Sequence, residues 1–129
     1  MANNSTPKYI RHYCNKEAAD GIKKDGKIKP GQNANNYFGP GTYLTGISPR
    51  RPKEEILNNN YTNPRMREKA EIEGRADCRA KVDINTLDKS KLKKLPDPTR
   101  DVYYYPRSVL VDPDNVGWTI DSESVRENL

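Results

Sequence analysis

Three kinds of side chain in this chain carry the chemistry of a reactive or recognition site, and they come in a definite order. His12 is the only histidine and stands in Arg11-His12-Tyr13; an imidazole can hold a hydroxyl by hydrogen bonding near neutral pH. Tyr43 follows two glycines in Gly39-Pro40-Gly41-Thr42-Tyr43-Leu44-Thr45. A tyrosine ring presents a π-face for stacking, and glycines permit unusual backbone angles or let backbone amides approach a ligand. Asp83, Asp101 and Asp112 follow in the second half, and a carboxylate can stabilise a developing cation or orient a nucleophile. Taken singly, each has an ordinary structural explanation: a strand histidine satisfied by backbone, a packing tyrosine, a solvated strand end. Their order and local setting carry the functional argument.

The elements that must position them follow from periodicity. Lys8 to Cys14 alternates, with Ile10, His12 and Cys14 on one face of a strand and Tyr9, Arg11 and Tyr13 on the other. Asn15 offers an N-cap, Ala18, Ala19 and Ile22 recur at helical spacing, and Gly26 can end the helix, which the pattern places over Lys16 to Lys24. A short strand, Lys27 to Lys29, stops at Pro30; Gly31 to Asn36 is a polar loop, and the stretch around Tyr43 is β-prone. Between Pro49 and Gly74 two weak helical patterns appear, one around Lys53 to Asn58 and one capped by Asn63 with Pro64 at its first position. Ala76 to Asn85 alternates throughout, so Ala76, Cys78, Ala80, Val82 and Ile84 face the core and the charged set faces water or a site. Lys89 to Lys94 reads as a basic loop, Asp101 to Tyr105 and Ser108 to Asp112 as strands, and Trp118 to Ile120 as a last one.

Composition bounds what these elements can build. Leu, Ile, Val and Phe fill only 22 of 129 positions, yet 23 basic against 18 acidic residues leave a net charge of just +5. Disorder needs low hydrophobicity together with high net charge, so a loop-rich single domain over 1–129 is expected, its ends at 1–7 and 122–129 loosely held. No apolar run approaches the roughly 18 residues that span a bilayer. The start of the chain lacks the charged and apolar regions of a secretory signal, which predicts a cytoplasmic protein or one delivered by a non-classical route. Cys14 and Cys78 are too few for a disulfide framework or a zinc site and read as reduced core residues, with no metal expected. A pI of about 9.2 favours anionic partners, which include nucleic acid but equally a dinucleotide.

The ordered set Arg11-His12-Tyr13, Asn15 to Gly26, Lys27-Ile28-Lys29-Pro30 and Gly39 to Thr45 resembles the HYD-signature ADP-ribosyltransferase toxin family, small mono-ADP-ribosyltransferase domains named for a His, a Tyr and an Asp. Lys81-Val82-Asp83-Ile84, Val102 to Pro106 and Leu110-Val111-Asp112 look like its second half, so the resemblance spans residues 8 to 115. It implies an α+β, ADP-ribosyltransferase-like fold: two small antiparallel-rich sheets and a few short helices around an NAD cleft. His12 and Tyr43 would lie on the cleft floor, with the loops Gly31 to Asn36 and Pro49 to Gly74 at its mouth. NAD would be the substrate and ADP-ribose would pass to an unknown acceptor, a protein, nucleic acid or small molecule, as part of a toxin or effector that an immunity protein would counter.

In that setting His12 would bind ribose hydroxyls and Tyr43 would stack on nicotinamide. Tyr13, Gly39, Gly41 and Thr42 would help to bind NAD. Asp101, just before a strand, is the first choice for the acidic group, with Asp83 and Asp112 as competitors. Water as acceptor would make the chain an NAD glycohydrolase. A non-catalytic NAD- or ADP-ribose-binding module is a reading of another class, and a basic nucleic-acid binder stacking bases on Tyr103 to Tyr105 is a third. Glu71-Ile72-Glu73 is read as an exposed acidic turn, because the Ser-Thr-Ser strand that accompanies a catalytic Glu-x-Glu in another transferase class is missing.

Overall fold

The computed structural model describes residues 7–32 and 37–119. The expectations for the ends of the chain, for Ile120 and for positions 33–36 of the polar loop lie outside these residues. Eleven helices and strands follow in the order β1 (Tyr9–Cys14), α1 (Lys16–Asp25), β2 (Lys27–Ile28), β3 (Thr42–Leu44), α2 (Lys53–Asn60), α3 (Pro64–Ile72), β4 (Cys78–Asp83), β5 (Lys93–Lys94), β6 (Tyr103–Tyr105), β7 (Val109–Leu110) and β8 (Val116–Trp118). The fold is α+β.

Local chemistry explains most boundaries. The Asn15 side chain accepts from the Ala18 amide at 2.9 Å and Gly26 ends α1 at φ 70°, while Glu17 and the pair Lys23 and Lys24 sit at the ends that suit the helix dipole. Asn63 caps α3 by accepting from Arg65 and Met66, with Pro64 in the first turn. At the close of α3, Glu71 lies 3.8 Å from Arg67 and Glu73 2.7 Å from Arg75, as surface pairs.

The strands form three small antiparallel sheets among the described residues, β1-β4-β8, β2-β7 and β3-β6-β5, where the sequence pointed to two. Lys93 and Lys94, expected in a loop, pair with Tyr104 and Tyr103 and widen the sheet that carries Tyr43. The sheets meet at a bridge in which Arg11 N–H donates to Thr45 O at 2.7 Å and Thr45 N–H donates to Arg11 O at 2.8 Å. This bridge sets His12 beside the Tyr43 strand.

Two apolar clusters flank β1 and β4. One gathers Ile10, Cys14, Ala19, Ile22, Ile28, Leu44, Cys78, Ala80, Val82, Tyr103, Tyr105 and Val109 under α1. The other lies beneath α2 and α3 and holds Tyr13, Ile56, Leu57, Ala70 and Ala76. The second cluster corrects two expectations. β4 begins at Cys78, so Ala76 sits in the turn before it and joins the second cluster. The charged face of β4 is also not uniformly wet: Arg79 and, on β1, Arg11 are buried on the side of the α2–α3 cluster, while Lys81 and Asp83 stay partly exposed. No helix of the described residues is long and apolar enough to cross a membrane.

Candidate active site

His12 and Tyr43, 31 residues apart in sequence, meet directly: His12 Nδ1 lies 3.0 Å from the Tyr43 carbonyl oxygen. A carbonyl only accepts, so Nδ1 carries the proton and Nε2 of the neutral ring is left as an acceptor. Nε2 has no protein partner among the described residues. Burial of the ring lowers its pKa, outweighing the opposing influence of the Tyr43 carbonyl. His12 is therefore neutral at pH 7, with one lone pair available to a hydroxyl.

The Tyr43 hydroxyl is occupied by its own loop, donating to Gly39 O at 2.7 Å and accepting from Phe38 N–H at 3.0 Å. Burial raises its pKa, which keeps it protonated for the bond to Gly39. The Tyr43 ring packs 5.1 Å from Tyr104, its cross-strand partner, and Tyr104 in turn stacks on Phe38 at 5.0 Å and donates to Pro40 O. Tyr43 thus anchors the glycine-led loop and, through its carbonyl, fixes the tautomer of His12.

Asp101 stands two residues before β6. Its backbone is held to α2, while its carboxylate rests beside Gly46: a Cβ at Gly46 would come within 2.8 Å of Asp101 Oδ2. Asp101 Oδ1 is buried without a hydrogen-bond partner. His12 reaches the chain at residue 43 and Asp101 at residue 46, about 10 Å apart along extended backbone. Asp101 also borders an open cavity of about 400 Å³, whose wall includes Ile47, Glu55, Asn58, Asn59, Lys94 and Arg100. That volume falls within the range of small-molecule sites. His12 and Tyr43 are not part of its wall.

The other residues expected at the site do structural work. Tyr13 is buried on the face of β1 opposite His12 and donates to Ile47 O at 2.7 Å, so alternation removes it from the His12 side. Thr42 is buried and donates to Arg107 O. Gly41 exchanges both backbone hydrogen bonds with Gly31, leaving no free amide for a phosphate; its missing Cβ makes room for the Tyr104 ring. Gly39 adopts φ 82° and accepts from the Tyr43 hydroxyl. Asp83 and Asp112 each cap a short 3-10 turn, accepting from Asn85 N–H and Asp114 N–H. Of the three aspartates, Asp101 is the one whose carboxylate is not spent on a turn.

Tyr103, Tyr104 and Tyr105 are all buried, so the base-stacking surface expected there is missing. Cys14 and Cys78 are free and buried, and burial, reinforced by Cys78, pushes the Cys14 thiol up to about 12. Sequence reasoning passed over Asn59 and Arg100, whose partners lie 41 or 42 residues away in the chain. No family model matches the chain, and no match is found among curated proteins or solved structures.

Proposed function

We propose that the chain is an NAD-dependent mono-ADP-ribosyltransferase, with His12 binding the nicotinamide ribose and Asp101 as the acidic group. The observation that carries this reading is the neutral His12, its Nε2 free, on the strand joined to the segment beside which Asp101 keeps an unpartnered carboxylate oxygen. In the reaction the bond from ribose C1′ to the nicotinamide nitrogen breaks and its electron pair leaves with nicotinamide. C1′ becomes cation-like until an acceptor nucleophile attacks and gives up its proton.

A fixed imidazole acceptor restrains the ribose hydroxyls, so that part of the barrier is met by positioning. An aspartate at the cavity wall with an oxygen that makes no protein bond would stabilise the cation or receive the acceptor's proton once that oxygen, buried in this structure, is turned toward the substrate. The Tyr43 carbonyl holds His12 in the tautomer that this binding needs. Acceptors would enter through the cavity bordered by Asp101 and α2. The test is incubation with NAD labelled on the adenylate, alone and with a cell lysate. Label should appear in one acceptor fraction together with free nicotinamide; intact NAD under both conditions refutes the reading.

A further inference from the structure

Asn59, near the end of α2, is 7 % exposed and makes two hydrogen bonds to the backbone of a single residue. Its Oδ1 accepts from Asp101 N–H at 2.6 Å and its Nδ2 donates to Asp101 O at 2.9 Å. This is the exchange that a neighbouring strand makes with a paired residue, performed here by a side chain just before β6 begins. An amide side chain offers both the donor and the acceptor this requires; aspartate of the same size has two acceptors and leucine neither. Arg100 Nε closes the arrangement from the other direction, donating to Asn59 O at 2.8 Å.

The clamp seats the residue and leaves its carboxylate alone. Asp83, Asp88, Asp97 and Asp112 all use Oδ1 to accept from a backbone amide two residues on, the ordinary structural use of aspartate. Asp101 differs: its backbone is held from outside and its buried Oδ1 has no partner. A segment that needed only to be tied down could have used its own carboxylate. We infer that Asn59 is a positioning residue, holding the Asp101 carboxylate at its working place in the proposed NAD reaction; the inference rests on that reading.

The test measures nicotinamide release and thermal midpoint for wild type, Asn59→Ala, Asn59→Asp, Asp101→Asn and the double variant Asn59→Ala/Asp101→Asn. Asn59→Asp keeps the volume and the bond from Asp101 N–H while losing the donor. The expected result is that kcat falls about ten- to a hundred-fold in Asn59→Ala, and less in Asn59→Asp, with KM for NAD nearly unchanged. The double variant should turn over no more slowly than Asp101→Asn alone, since a residue acting through Asp101 has nothing left to position. A lowered thermal midpoint with kcat retained would overturn the inference, as would a further loss in the double variant or failure of both Asn59 variants to fold. Retained turnover in Asp101→Asn would overturn it by removing Asp101 from the chemistry. Absence of NAD turnover in the wild type is a different outcome, which removes the proposed function and the inference together.

Discussion

Gly46→Ala separates the fold from the chemistry more cleanly than substitution of a catalytic side chain. Gly46 does not have a positive φ, so alanine is compatible with its backbone. The added methyl would lie 2.8 Å from Asp101 Oδ2, where ordinary contact begins near 3.4 Å, so the carboxylate must retreat by about 0.6 Å or rotate. Moving the end of a short side chain off its rotamer costs on the order of 1 kcal/mol. The Asp101 backbone stays clamped by Asn59. Displacement of a reacting group by a good fraction of an ångström costs roughly ten- to a hundred-fold in rate. The variant should therefore melt within a few degrees of wild type and lose most of its nicotinamide release, measured by thermal denaturation and by chromatography of the products. Wild-type turnover in a folded Gly46→Ala protein would refute the placement of Asp101 in the reaction.

Other expectations follow from the same geometry. His12 has its pKa lowered in the folded state, so the unfolded chain takes up the proton first as pH falls below 6.5. Its contribution to stability should be full above that pH and decline as pH drops toward the lower folded value; thermal midpoints across pH 4–8 should show this slope reduced in His12→Gln. Tyr43→Phe removes the bonds to Gly39 and Phe38 while keeping the carbonyl that holds His12. It should cost about 1–3 kcal/mol in denaturant unfolding and preserve most NAD turnover. Cys14 and Cys78 should resist a thiol reagent in the native protein and react after denaturation, because both are buried and Cys14 is pushed up to about 12. Saturating NAD should raise the thermal midpoint by mass action, and no rise at any NAD concentration would count against binding.

The first half of the fold was legible because its signals are local. The alternation of β1, the Asn15 cap and the Gly26 terminus each depend on residues within a turn or two, and the structure contains all three. What escaped reading depends on distant partners. Charge at Arg79 suggested solvent or a site, but the side of the sheet that carries the α2–α3 cluster buries it together with Arg11. Lys93 and Lys94 carry no strand pattern of their own and become a strand by pairing with Tyr103 and Tyr104. At the candidate site, residue type and the family resemblance singled out His12, Tyr43 and Asp101 for attention, yet said nothing of the way they are held. The His12 tautomer depends on a bridge between Arg11 and Thr45, and the seat of Asp101 on an asparagine 42 residues earlier. Glycine was ambiguous for a related reason: Gly41 looked suited to a phosphate, but its neighbours assign its small size to the Tyr104 ring.

The most direct test of the central claim is nicotinamide release from NAD by the purified protein with lysate as acceptor source, comparing wild type with His12→Ala and Asp101→Asn after each variant is shown to be folded. Release by wild type, with both variants reduced by at least about a hundred-fold, is the predicted result. Equal release by all three proteins, or none by wild type, would contradict it.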